Sequence, residues 1–90
     1  MSVESLFHIL AIMQVFVRLL TGKTITLVVL PPADVRSLKQ QVYEKSEIPI
    51  EQQRMVYAGK TLQDDRYLAD YDIRNESTID LLVRLRGGWL

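Results

Sequence analysis

Eleven basic and eleven acidic side chains in a 90-residue chain cancel to zero net charge, which speaks against nucleic acid as the main partner, because phosphate binding rests on surplus cations. With no cysteine and one histidine, disulfides, thiolate metal sites and a thiol nucleophile are excluded and little acid–base chemistry remains. The length sits near the lower bound for a single unstapled core, which a 48% hydrophobic content makes attainable. No apolar run approaches the roughly 20 residues a membrane-spanning helix needs. The expectation is a binding or modifying protein, not an enzyme, with no catalytic residue, no cofactor and no metal.

Residues 1–12, MSVESLFHILAI, form a segment of their own. Its apolar stretch Leu6–Ile12 is like the core of a secretion signal, but no Lys or Arg precedes it and no small-residue cleavage site follows. An added structural segment or a non-native extension is the expectation. His8 has no metal or triad partner nearby in sequence and is read as incidental.

From Gln14 to Arg18 the pattern alternates, with Val15 and Val17 on one face and Gln14, Phe16 and Arg18 on the other, which predicts a strand. Leu20–Lys23 makes a turn in which Gly22 supplies the positive φ of a bulged hairpin loop. Thr24–Leu30 is the return strand, with Ile25, Leu27 and Val29 inward, and Pro31-Pro32 ends it. Asp34 is an N-cap for a helix running to about Ser46, with Val35, Leu38 and Val42 on its buried stripe and Lys45 near its C-terminal dipole. Gln53–Tyr57 and Thr78–Arg84 read as two further strands, and Leu62, Leu68 and Ile73 as inward anchors between them. A strand pair, a helix and then more strands indicate an α+β domain.

Strand parity also sends apolar residues outward. Val56 and Leu82 point away from the core, flanked by Arg54 and Arg84, and the hairpin tip at Leu20 reaches their edge. Apolar outward positions gathered between two arginines suggest a partner surface, although a single outward Val or Leu on a strand is ordinary. At the C-terminus, Arg84-Leu85-Arg86-Gly87-Gly88 describes a handle. Two glycines without Cβ atoms thread a narrow tunnel and present an unhindered carbonyl, and the arginines offer forked donors to carboxylates.

The stretches MQVFVRLLTGKTITL, IPIEQQRMVYAGKTL and LADYDIRNESTIDLLVRLRGG, starting at Met13, align without a gap with ubiquitin, and over residues 13–88 the chain resembles the ubiquitin-like modifier family. The resemblance implies a β-grasp fold, a mixed curled sheet packed on one helix, over residues 13–84, followed by a flexible tail over 85–90. The core positions of that fold are filled here by Val15, Val17, Ile25, Leu27, Val29, Val35, Leu38, Val42, Met55, Leu62, Leu68, Ile73, Ile79 and Leu81, all apolar. The resemblance further implies a modifier precursor cut between Gly88 and Trp89 and then conjugated through the Gly88 carboxylate to target lysines, with Gly87 keeping the acyl carbon accessible.

The partners so implied are activating, conjugating and ligating enzymes, C-terminal hydrolases and ubiquitin-binding domains, met by a monomer in cytoplasm and nucleus. The recognition patch maps onto Leu20, Arg54, Val56, Asp80, Leu82 and Arg84, and tail recognition onto Arg84, Leu85 and Arg86. Arg84 matches a residue that separates ubiquitin from a close relative with alanine there. Asp80 stands where ubiquitin has histidine, which predicts altered partner choice. Candidate chain acceptors are Lys60, Lys23, Lys39 and Lys45, while Arg18, Gln41 and Asn75 replace three other lysines, and a guanidinium cannot accept an acyl group. Tyr71 matches a tyrosine that fixes a loop by hydrogen bonding. Glu47 stands where ubiquitin has a glycine at the helix exit.

Val28 and Leu30 replace two glutamates on an edge strand. Phe7, Ile9 or Leu10 packing over them is one expectation, and a leader that leaves the patch open is the other. Three alternatives to a conjugated modifier remain: a non-conjugated binding module, an engineered ubiquitin variant occupying receptors or enzymes, or the C-terminal domain of a two-domain interferon-induced modifier.

Overall fold

A computed structural model describes residues 12–84 with their side chains and the backbone of residues 85, 88 and 89. The strands are β1 (Met13–Leu19), β2 (Thr24–Val29), β3 (Gln53–Tyr57), β4 (Lys60–Thr61), β5 (Ser77–Leu85) and β6 (Gly88–Trp89); the single helix, α1, spans Val35–Ser46. Short 3-10 turns cover Ile50–Gln52 and Leu68–Tyr71. The sheet runs in the order β2-β1-β5-β3-β4, with β6 paired to the end of β5. β1 and β2 are antiparallel, β1 and β5 parallel, and β5 and β3 antiparallel. This is the mixed, helix-backed β-grasp sheet that the alternation and the family resemblance predict.

The hairpin forms because Gly22 adopts φ 92°, where a side chain would be strained. The loop closes through Leu19 N–H donating to the Lys23 carbonyl at 2.8 Å and Gly22 N–H donating to the Leu19 carbonyl at 2.9 Å. Register then places Val15 beside Leu27 and Val17 beside Ile25. All fourteen expected core residues are buried, and eight of them are fully enclosed: Val15, Val17, Leu27, Val35, Leu38, Val42, Met55 and Ile79. The helix lays its Val35, Leu38 and Val42 stripe against the inner face of the sheet, so the outer face of β1, β5 and β3 is left for other contacts.

Local capping sets the ends of α1. Asp34 Oδ1 accepts from Ser37 N–H at 2.8 Å, while Ser37 Oγ donates back to the Asp34 carbonyl at 2.9 Å. The Ser37 N–H bond to the ionised carboxylate, followed by the influence of the Ser37 hydroxyl, holds the Asp34 pKa below its ordinary value. At the other end Glu47 sits in the left-handed region at φ 64°, its N–H donating to the Tyr43 carbonyl. The chain makes this turn to bring Ile48 back onto the core, and it does so on a residue with a Cβ. Gln53, 3% exposed, clamps the same corner: its Nε2 donates to the carbonyls of Lys39 at 3.0 Å and Ile48 at 2.9 Å.

The long segment between β4 and β5 is stapled in two places. Val35 N–H donates to the Arg66 carbonyl and Leu68 N–H to the Ala33 carbonyl, both at 2.9 Å, which ties it to the start of α1. Tyr71 Oη accepts from Gln63 N–H at 2.9 Å, the loop-fixing role expected of it. Next to β5, Gln14 N–H donates to Asn75 Oδ1 at 2.8 Å and Glu76 N–H to the Gln14 carbonyl at 2.6 Å. Asn75 thus closes the end of β1, a structural use of a residue that replaces a lysine. β4 and the 3-10 turns are too short to leave a periodic signal in the sequence.

Replacing Glu47 with glycine removes the left-handed strain without touching a core contact. The Glu47→Gly chain is expected to gain about 1 kcal/mol of stability, measured as a higher urea midpoint at unchanged slope. A chain that unfolds at the same or lower urea concentration contradicts the strain.

Candidate functional site

The expected recognition positions lie together on the outer face of the sheet. β3 and β5 pair so that Arg54 faces Leu82 and Val56 faces Asp80, which makes Val56 and Leu82 diagonal neighbours. Leu20, at the hairpin tip, is 63% exposed. With Leu19, Val56 and Leu82 it lines an open, mostly apolar cleft of about 470 Å³, together with Arg18 and Asp80. Arg54 donates through Nε and Nη2 to Thr61 Oγ1 at 3.2 and 3.0 Å, so its guanidinium leans toward β4. Arg84 is exposed further along β5.

One feature of this face was not anticipated from the sequence. Parallel pairing puts Arg18 opposite Asp80, and Arg18 Nε and Nη2 both donate to Asp80 Oδ1, at 2.9 and 2.8 Å. Both side chains are about half exposed, so the pair adds little stability, on the order of 0.5 kcal/mol. The cleft is thus edged by an ion pair instead of a lone cation. Strand parity does mark Arg18 as outward, but only the β1–β5 pairing, 62 residues apart in sequence, brings it to Asp80.

The tail differs from the expectation of a free end beyond Arg84. β5 continues through Leu85, and the backbone of Gly88–Trp89 folds back on it, pairing Arg84 with Trp89 and Leu85 with Gly88. A two-residue ladder is weak by itself, so a partner that needs an extended tail has little to unzip. Arg86, Gly87 and Leu90 lie outside the described residues, as does His8.

A family model described as the ubiquitin family matches residues 15–86. The chain belongs to the ubiquitin family. Among individual relatives, it is 42% identical over 76 residues to ubiquitin-like protein 1 of Schizosaccharomyces pombe, spanning 84% of this chain and 97% of that protein. It is 38% identical over 76 residues to the ubiquitin-like protein NEDD8 of Dictyostelium discoideum, covering 84% of this chain and 99% of that one. Human ubiquitin-like protein 4A is 40% identical over 72 residues, 80% of this chain but 46% of its own length, so there the ubiquitin-family domain is one part of a larger protein.

On this ubiquitin-family scaffold the four lysines named as acceptors are not equivalent. Lys23, in the hairpin loop, and Lys60, in β4, are exposed. Lys45 is exposed and donates from Nζ to the Thr26 carbonyl at 2.9 Å. Lys39 does not fit an acceptor's role: it is 7% exposed, with Nζ donating to Asp64 Oδ1 at 2.6 Å. It lies four residues after Val35 and three before Val42, on the buried stripe itself. That spacing is the signal in the sequence that marks it as interior. Asp64 also receives Arg36 at 3.6 Å, so the pair closes the junction between α1 and the loop after β4. Among the described residues no group of His, Asp and Glu is placed to hold a metal, and no helix is long and apolar enough to cross a membrane.

Amine reactivity checks this ranking. Under limiting acylating reagent at neutral pH, Lys23 and Lys60 are expected to be labelled at least about tenfold faster than Lys39, whose reaction waits on local opening. Peptide mass spectrometry reads the rates. Comparable labelling of Lys39 contradicts its enclosure.

Proposed function

We propose that this chain is a ubiquitin-like protein modifier, made as a precursor and conjugated through Gly88. The supporting observation is a ubiquitin-family domain in which the strand bearing the outer apolar patch, β5, runs directly into Arg84-Leu85-Arg86-Gly87-Gly88. The surface for partners and the reactive end are thereby close in sequence, Leu82 on β5 and Gly88 three residues after that strand ends. The S. pombe and Dictyostelium relatives, matched over nearly their whole length, are named as ubiquitin-like proteins, and proteins of this kind work with activating, conjugating and ligating enzymes. The modifier itself supplies no catalytic group.

In this reading a hydrolase adds water across the Gly88–Trp89 peptide bond, releasing Trp89-Leu90 and leaving a carboxylate on Gly88. The activating enzyme joins that carboxylate to the adenylyl group of ATP, with pyrophosphate leaving. An enzyme thiolate then displaces AMP to form a thioester, and a target amine displaces the thiol to form an isopeptide bond. Gly87 and Gly88 serve each step because no side chain hinders attack on the acyl carbon. Lys23, Lys45 and Lys60 are the readily accessible acceptors if chains are built; Lys39 is disfavoured by its burial.

A second reading has a specific observation in its favour. The backbone pairing of Gly88–Trp89 with β5 holds the scissile bond in a hairpin, and a chain kept in that form is a binding module that docks through the patch without being conjugated. Incubation with a ubiquitin C-terminal hydrolase distinguishes the two. Loss of Trp89-Leu90, seen by mass, followed by thioester formation with activating enzyme and ATP, is expected. An uncut chain, or a trimmed chain that never charges, leaves the docking reading.

Partner choice should follow the Arg18–Asp80 pair. An Asp80→His chain releases Arg18 and removes a negative charge from the cleft, so ubiquitin-binding domains that present acidic groups there are expected to bind several-fold more tightly, about 1 kcal/mol. Calorimetric titration against a panel of such domains measures this. Unchanged affinity across the panel removes Asp80 as a specificity determinant.

A further inference from the structure

The outer face of the sheet carries a second apolar area, at the end away from the Leu20 cleft. The β1–β2 register pairs Met13 with Val29 and Gln14 with Val28, so Ile12, one step before the ladder, falls beside Leu30. Ile12, Val28 and Leu30 are 61%, 48% and 50% exposed. Phe16, half-buried and opposite Thr26, lies beyond Gln14 on the same outer face of β1. One exposed aliphatic residue is ordinary; three, Ile12, Val28 and Leu30, gathered at one corner of the sheet are not, because an apolar edge invites association. β2 is the terminal strand of the order, and no charged side chain of its own blunts it beyond Thr24.

What precedes Ile12 supplies an occupant. The leader precedes this corner, and its sequence places Val3, Leu6, Phe7, Leu10 and Ala11 at the i, i+3, i+4, i+7, i+8 spacing of a helical stripe, with Glu4, Ser5, His8 and the apolar Ile9 off it. Nine residues in that form measure about 14 Å, close to the roughly 13 Å covered by the four steps from Leu30 back to Thr26 in extended chain. The attachment at Ile12 gives the leader a local concentration in the millimolar range, whereas a separate partner must also overcome lost translational and rotational freedom. We propose that the leader is an intramolecular cover, docking Val3, Leu6, Phe7 and Leu10 onto Ile12, Phe16, Val28 and Leu30. It shields the β2 side of the sheet and leaves the Leu20–Val56–Leu82 cleft open to partners. The proposal is independent of whether Gly88 is conjugated.

A double-mutant cycle in the full chain tests it. Leu6→Asp/Leu10→Asp and Val28→Glu/Leu30→Glu are made separately and together, and Tm is measured for all four proteins. Each pair is expected to lower Tm by about 4–8 °C, with the four-fold variant little worse than either pair, because both break the same contact. Hydrogen exchange at residues 6–10 should be slowed in the parent chain and fast in the Val28→Glu/Leu30→Glu chain. Additive shifts, or no shift from the leader pair, overturn the proposal. A Tm that rises with protein concentration, with dimers by light scattering that the leader substitutions leave intact, overturns it in favour of a second copy on this face.

Discussion

The parallel pairing of β1 with β5 is the contact on which the rest of this molecule depends. Val17 and Ile79 meet there with no exposed surface, in the middle of a five-strand order whose flanks are built outward from them. Parallel neighbours cannot be joined by a tight turn, so the intervening chain must travel. Here it makes β2, crosses the inner face as α1, and returns through β3, β4 and the stapled loop. The helix stripe and the inward residues of four strands then close one core. The chain's two ends are brought to adjacent strands, which is why the hairpin tip, the last strand and the entry point of the leader share one sheet face.

The outer face of the sheet is a consequence of that arrangement. The inner face is consumed by α1, so the outward residues of β1, β3 and β5 are left uncovered by the helix. Leu20, Val56 and Leu82 come from three separate stretches and converge only because β5 lies between β1 and β3. The same pairing sets Arg18 against Asp80, cancelling charge at the edge of the cleft. Beyond Leu85 the backbone of Gly88–Trp89 returns to pair with the end of β5.

Charge placement separates surface from interior in a way composition hides. Zero net charge is a sum over unlike situations. Lys39 is sealed beneath the loop after β4 with Asp64 as its counter-ion, a junction where desolvating the amine is offset by a short charge-assisted bond. Arg74 and Asp72 pair in solvent, where such a contact does little. Val28 and Leu30 stand on an edge strand where charge is the usual protection.

Much of this was legible in the chain itself. Alternation in Gln14–Arg18, Thr24–Val29 and Gln53–Tyr57 states which side chains face inward, because strand geometry has a period of two. All fourteen core positions followed from that parity, the helical stripe and the resemblance to a known fold. Asp34 and Gly22 announce a cap and a turn because their chemistry is local. The family itself is carried by motifs contiguous in sequence. The enclosure of Lys39 was there to see in its place on the stripe. What only the tertiary structure decided is what depends on pairs far apart: the Arg18–Asp80 bond, the Lys39–Asp64 seal, Asn75 closing β1, and Gly88–Trp89 returning to β5. A side chain's period tells which way it points; its partner is chosen by strand order and register, and these are properties of the whole sheet.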